Sequence, residues 1–281
     1  MPIPFVLAAL LTAAAPDPMS APIVAAENAF SADARRYGVR LAFLAHFDAG
    51  SWLFRPYPVD ALAALARDAD DGAPLEWGPD TVGVSASGDM GFTSGPWSAH
   101  AAGTDGLVHG HFLTVWKRGD DGIWRVEVDG GISHPALAKP AAGIDVVVRG
   151  GDAAAMALSR DEIATRRAQL EKTDDVLRRA LADHAGDRAR LWLGAAHADV
   201  RALRAGHAPA TANEARDLLA HDAPGVGSGP RRALDVASSG DLAYTLGGDA
   251  SCAACGAYYR IWRWQDGAWR VLVDLTRATA R

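Results

Sequence analysis

The chain has 281 residues, 49% hydrophobic and 22% charged, with a net charge of −6. That length suits two domains. Its Lys and Arg are scattered among acids, so there is no basic footprint and neither nucleic acid nor anionic lipid is expected as a partner.

Pro2 to Ala15 is an apolar run too short to span a bilayer as a helix, and it reads as the centre of a secretory signal without a basic start. Residues 1–25 are therefore taken as a leader. Export to the periplasm or medium is expected, with no membrane attachment once the leader is removed. Phe30, Ala34, Tyr37, Leu41 and Leu44 alternate in steps of four and three, which predicts a helix from about Ala26 to Phe47. After Pro58, Asp60 is a candidate N-cap for a short helix that turns Leu62 and Leu65 inward. From Leu75 onward short β-rich runs are divided by glycines, and His111–Lys117 and Ile123–Asp129 read as a hairpin. Lys139 to Gly151 reads mainly as a linker, with Ile144 to Val148 as an edge-strand option.

Ser159-Arg160-Asp161-Glu162 is a capping box before a helix carrying Ile163, Leu170 and Leu177 on one face. A break is expected near Gly186, with a further helix to about Leu203. Thr211 and Glu214 form another capping box, and strands follow from Ala233 to Asp274.

The two halves repeat one another. Ser87-Gly88-Asp89-Met90-Gly91-Phe92-Thr93-Ser94-Gly95 returns as Ser239-Gly240-Asp241-Leu242-Ala243-Tyr244-Thr245-Leu246-Gly247. Downstream, Trp116 with Asp121-Gly122-Ile123-Trp124-Arg125-Val126 returns as Trp262 with Asp266-Gly267-Ala268-Trp269-Arg270-Val271. A period of roughly 150 residues is the size of a domain, not of a solenoid repeat. The organisation expected is a first domain over 26–138, a linker over 139–158 and a second domain over 159–281.

Helices followed by strands that end in this Trp-Arg-Val hairpin resemble the nuclear transport factor 2-like superfamily, nearest to its SnoaL-like and ketosteroid isomerase-like small domains. The resemblance implies an α+β class: two tandem cone-shaped α+β barrel domains, each with N-terminal helices packed on a curved antiparallel sheet around an internal cavity. It is nearly silent on function. Relatives include ketosteroid isomerase, scytalone dehydratase and inert binding or assembly modules, and they commonly dimerise through their sheets, so a homodimer is a further expectation.

A proton-transfer site of the isomerase kind needs a carboxylate base in an apolar cavity. Glu76 and Asp48 are candidates. Asp89 and Asp129 recur as Asp241 and Asp274, which favours a structural role for them. His109 and His111 lie on one strand face about 6–7 Å apart, and His111 is a further candidate base. They are also candidate ligand contacts, whereas no metal site and no cofactor are expected.

Trp116, Trp124, Trp262 and Trp269 are matched and read as packing. Tyr57, Trp77, Trp97, His109 and His111 have no counterparts and are the candidate lining of a ligand pocket in the first domain; by simple offset the second half has Ala205 for Phe54, Ala208 for Tyr57, Gly229 for Trp77 and Asp249 for Trp97. Cys252 and Cys255 suit a small structural disulfide if the protein is exported, with free thiols or a redox role as alternatives. The leading functional expectation is a small, partly apolar ligand held in the first domain. A SnoaL-like or isomerase-like enzyme and a structural dimerisation module are the rivals.

Overall fold

The computed structural model describes residues 18–68, 74–100, 106–138, 143–148, 157–183, 188–223, 225–250 and 256–277. The apolar N-terminal run and the pair Cys252 and Cys255 lie outside the described residues. Among those residues no helix is long and apolar enough to cross a membrane.

The first helical stretch is two helices, α1 (Ala21–Tyr37) and α2 (Val39–His46), rather than the single one expected. Gly38 separates them at φ 90°, a conformation costly for residues with a Cβ, and its N–H caps α1 on the Ala34 carbonyl. The chain then forms β1 (Phe47–Phe54), β2 (Pro58–Asp60) and α3 (Ala61–Leu65), the last capped by Asp60, which accepts from the Ala63 N–H at 2.7 Å. Strands β3 (Leu75–Trp77), β4 (Thr81–Val84), β5 (Met90–His100), β6 (Leu107–Arg118), β7 (Trp124–His134) and β8 (Asp145–Val148) complete the half. The sheet runs β2-β1-β7-β6-β5-β4-β8, with β3 beside β5. Of the stretch read mainly as linker, residues 145–148 thus add an edge strand, parallel to β4.

The second half follows the same order: α4 (Arg160–Asp183), α5 (Arg188–Ala195), β9 (Ala196–Arg204), β10 (Ala210–Thr211), α6 (Ala212–His221), β11 (Arg231–Val236), β12 (Leu242–Gly247), β13 (Ala257–Gln265) and β14 (Ala268–Arg277). Its sheet runs β10-β9-β14-β13-β12-β11. Ser159 and Glu162 make the reciprocal bonds of a capping box, 2.6–3.3 Å long. One expectation is corrected here: α5 stops at Ala195, and 196–204 are a strand. Val200 and Ala202 fill the core behind that strand while Leu203 joins the opposite face, a period of two that no helix produces. The ladder also fixes true equivalences. Leu53 faces Asp129 as Ala202 faces Asp274, so Phe54 and Arg55 match Leu203 and Arg204, not residues two positions on.

Each half packs its helices on the concave face of its own sheet. Phe30, Phe43, Leu53 and Trp116 build the first core, and Leu170, Trp192, Ala202 and Trp262 the second. The outer faces of the two sheets then bury each other, with Phe92, Leu113 and Val128 against Tyr244, Tyr259 and Ile261. The repeated Ser-Gly-Asp turns meet at this seam. Ser87 and Ser239 hydroxyls are 2.9 Å apart, Asp241 accepts from the Ala86 N–H at 3.1 Å, and Asp89 accepts from the Ser238 N–H at 2.9 Å. Such reciprocity is the signature of a two-fold interface, here formed within one chain. Asp89 and Asp241 recur because each closes the other's turn.

Candidate functional site

Between the first half's helices and its sheet lies a cavity of about 330 Å³, walled by Phe30, Phe43, Phe54, Trp77, Trp97 and Phe112. Glycines make room for it. A Cβ on Gly110 would sit 2.4 Å from the Trp97 ring, and one on Gly131 would sit 2.6 Å from the His111 carbonyl oxygen. Bare backbone at these places lets the indole lie flat across β6. Trp77 is held from two sides: its carbonyl accepts from Ser31 Oγ at 2.8 Å and its indole N–H donates to Glu27 at 2.5 Å.

Two carboxylates are sunk in this half. Glu27, on α1, is fully buried and also accepts from Thr93 Oγ1 at 2.5 Å and from the Trp116 indole at 3.1 Å. Burial outweighs these three donors and, with Asp129 adding repulsion, pushes its pKa up to about 7. Asp129, on β7, accepts from Thr114 Oγ1 at 2.8 Å and lines the cavity. Burial pushes it up to about 6, against the pull of the Thr114 hydrogen bond and of Arg55.

The second half answers the same problem with a cation. Thr114 faces Thr93 across β5 and β6, and the matching partner of Thr245 is Arg260. Arg260 is fully buried and donates to Asp274 at 2.9 Å, to Asp174 at 3.1 Å and to the Gly227 carbonyl at 2.7 Å. Asp274 also accepts from Arg204 at 2.9 Å and from the Trp192 indole at 2.6 Å. Although burial opposes it, Arg260 and Arg204 hold Asp274 below the usual carboxylate range. Arg260 stands at the strand position that Thr114 holds in the first half. Beside it, among the described residues, a pocket of only about 120 Å³ touches Arg204, Leu218 and Thr276.

Trp77 and Trp97 come together on the cavity wall; the other candidates lie elsewhere. Along β6, Phe112 and Thr114 point inward, so His111 points to the opposite face, where its Nδ1 meets His134 Nε2 at 2.9 Å and its Nε2 meets Asp80 at 3.3 Å. His109 is half-buried on that same face, opposite His134 in the ladder. Tyr57 packs against the seam between the sheets. Glu76 is exposed on the reverse side of β3 from Trp77, and Asp48 is an exposed partner of Arg125 at 3.0 Å. Neither carboxylate lines the cavity. The acids that belong to the site are the buried Glu27 and the half-buried Asp129. Glu27 was legible in principle, since Ile23, Glu27, Phe30 and Ala34 share one helical face and an acid on an apolar stripe is rarely idle.

A native carboxyl with a raised pKa binds a proton that the unfolded chain has already released. Stability is therefore greatest below the unfolded value and falls as pH rises to the folded one. For Glu27 that window runs from 4.5 to about 7, and the shift is worth about 3 kcal/mol. Urea unfolding is expected to show stability declining from pH 5 to pH 8, and Glu27→Gln should remove most of the decline. An undiminished decline in the variant would place the titration at another group.

No protein-family model matches the chain, and no curated protein matches it in sequence. Solved structures do. An NTF-2 like protein of unknown function from Shewanella oneidensis is 14% identical, with a TM-score of 0.33, over 38% of this chain and 94% of its own. Delta 5-3-ketosteroid isomerase from Mycobacterium sp. is 16% identical, with a TM-score of 0.30, over 38% of this chain and 90% of its own. An NTF2-like protein with a cystatin-like fold from Novosphingobium aromaticivorans is 17% identical, with a TM-score of 0.33, over 42% and 82%. Each half of the present chain, by its own sheet order and helix placement, is an α+β unit with its leading helices packed on one face of its own sheet.

Proposed function

We propose that the first half binds a small, largely apolar molecule in its aromatic cavity and that the second half serves as a sealed, supporting partner. One observation carries this reading: the first half holds an aromatic cavity of about 330 Å³ beside Arg55, whereas the pocket beside the matching Arg204 in the second half is only about 120 Å³. A cavity of about 330 Å³ with aromatic walls and few polar groups suits such a ligand. The neutral fluorophore N-phenyl-1-naphthylamine tests it. The intact chain should bind the dye with enhanced emission and a raised melting temperature. Leu75→Trp, which fills the cavity from the short β3, should weaken binding about tenfold, the worth of some 1.4 kcal/mol of lost contact. Equal binding by the variant would place the dye elsewhere and refute the reading.

Asp129 supports a second reading. It is a carboxylate on the cavity wall with a pKa near 6, close to the working range for proton transfer at neutral pH. On this reading the bound molecule exchanges a carbon- or oxygen-bound proton with Asp129.

A further inference from the structure

The rim of the cavity is charged, and half of that charge comes from the other domain. Arg277, at the end of β14, reaches over from the second sheet and lines the first half's cavity beside Arg55, Gly130 and Gly131. Its Nε donates to the Gly131 carbonyl at 3.0 Å, its Nη2 donates to the same oxygen, and the guanidinium lies 5.9 Å from the centre of the Phe54 ring. Those bonds fix its plane without neutralising it. Among the described residues Arg277 has no carboxylate within ion-pair distance, whereas Arg55 meets the exposed Asp68 at 2.6 Å.

The two guanidiniums also repel. Burial, and then the nearby Arg55, hold the Arg277 pKa below the ordinary arginine value. Asp68 offsets Arg55 from the solvent side, which leaves Arg277 as the unpaired cation at the mouth of a low-dielectric pocket, a costly arrangement unless an anion joins it. Guanidinium is the group best shaped to take a carboxylate or sulfonate in paired hydrogen bonds. Asp129 is the one carboxylate on the cavity lining, and burial favours its neutral form. An incoming anion would favour that form further.

We infer that the ligand is an organic acid, its apolar body among the aromatic rings and its carboxylate or sulfonate held between Arg55 and Arg277. This rests on the first half being the binding half, and it adds that the second half contributes to the site. The supporting domain then has a direct part in recognition.

Two dyes with the same phenylaminonaphthalene body separate the claims: neutral N-phenyl-1-naphthylamine and its anionic sulfonate, 8-anilino-1-naphthalenesulfonate. The intact chain should bind the sulfonate about tenfold more tightly, a preference that shrinks with added salt. Arg277→Gln should abolish the preference by weakening the sulfonate about tenfold while changing the neutral dye less than about twofold, and Arg277→Lys should restore part of it by returning the charge. Arg55→Gln should act in the same direction and leaves the seam between the sheets untouched. Equal affinity for both dyes in the native chain, or parallel loss of both in Arg277→Gln, would overturn the inference while leaving an apolar binding cavity standing. Failure of both dyes to bind would sink the cavity reading and this inference with it.

Discussion

Replacing Arg260 by threonine, the residue at the matching strand position of the first half, is expected to destabilise the protein by about 3–5 kcal/mol at pH 7.5. The guanidinium lies between Asp174 and Asp274, and all three side chains are fully buried. Without it, Asp174 keeps Arg231 at 3.1 Å and Tyr258 at 2.8 Å, and Asp274 keeps Arg204 and Trp192, but both lose the charge between them. The first half tolerates threonine because its carboxylates titrate near 6 and 7 and shed their charge at modest cost. The variant's acids should behave likewise. Their raised native pKa makes the loss largest at pH 7.5 and smaller at pH 5, whereas a simple packing defect would cost the same at both. Urea midpoints at the two pH values decide it. A loss below about 1 kcal/mol at pH 7.5 would mean that water, not the cation, stabilises the acids.

Asp129→Asn is expected to remove any general-base activity of the cavity. A suitable substrate is 5-nitrobenzisoxazole, a compact aromatic with one acidic C–H bond. The carboxylate takes that proton, the C–H electrons form the nitrile, and the ring N–O bond breaks to leave the phenolate. No oxidant or metal is involved. The native chain should accelerate ring opening along a single ionisation curve that rises through pH 6, following Asp129. Asp129→Asn should lower the rate about a hundredfold or more, within the usual range for losing a general base. Glu27→Gln should leave the plateau rate nearly unchanged, because Glu27 lies behind the wall and not on it. A variant at residue 129 that keeps the native rate would reduce the site to binding alone.

Much of this architecture is written locally. The Ser159 and Asp60 caps, the turn glycines and the repeated Trp hairpin each act through a few neighbouring residues, so their patterns can be read directly. Strand β9 read as a helix because Val200 and Leu203, three residues apart, would share a helical face, and only the packing of its sheet shows that they lie on opposite sides. The site was harder still. Asp129 looked structural because Asp274 repeats it, yet the two differ in the residue across the strand, Thr114 or Arg260. That difference is in the sequence, but its meaning depends on a ladder register. Arg277 was beyond reach, since only the packing of one sheet on the other carries the end of the chain to the first half's cavity.

The reciprocal Ser-Gly-Asp turns have a genetic consequence. In an association of identical subunits every substitution is made twice, so a residue that fills one cavity fills both. Joining two copies in one chain lifts that symmetry: a codon at 260 can become arginine while its counterpart at 114 stays threonine. One copy is then free to be selected for rigidity and the other for chemistry, while Ser87, Asp89, Ser239 and Asp241 must still change in concert, because each of those turns is completed by the other.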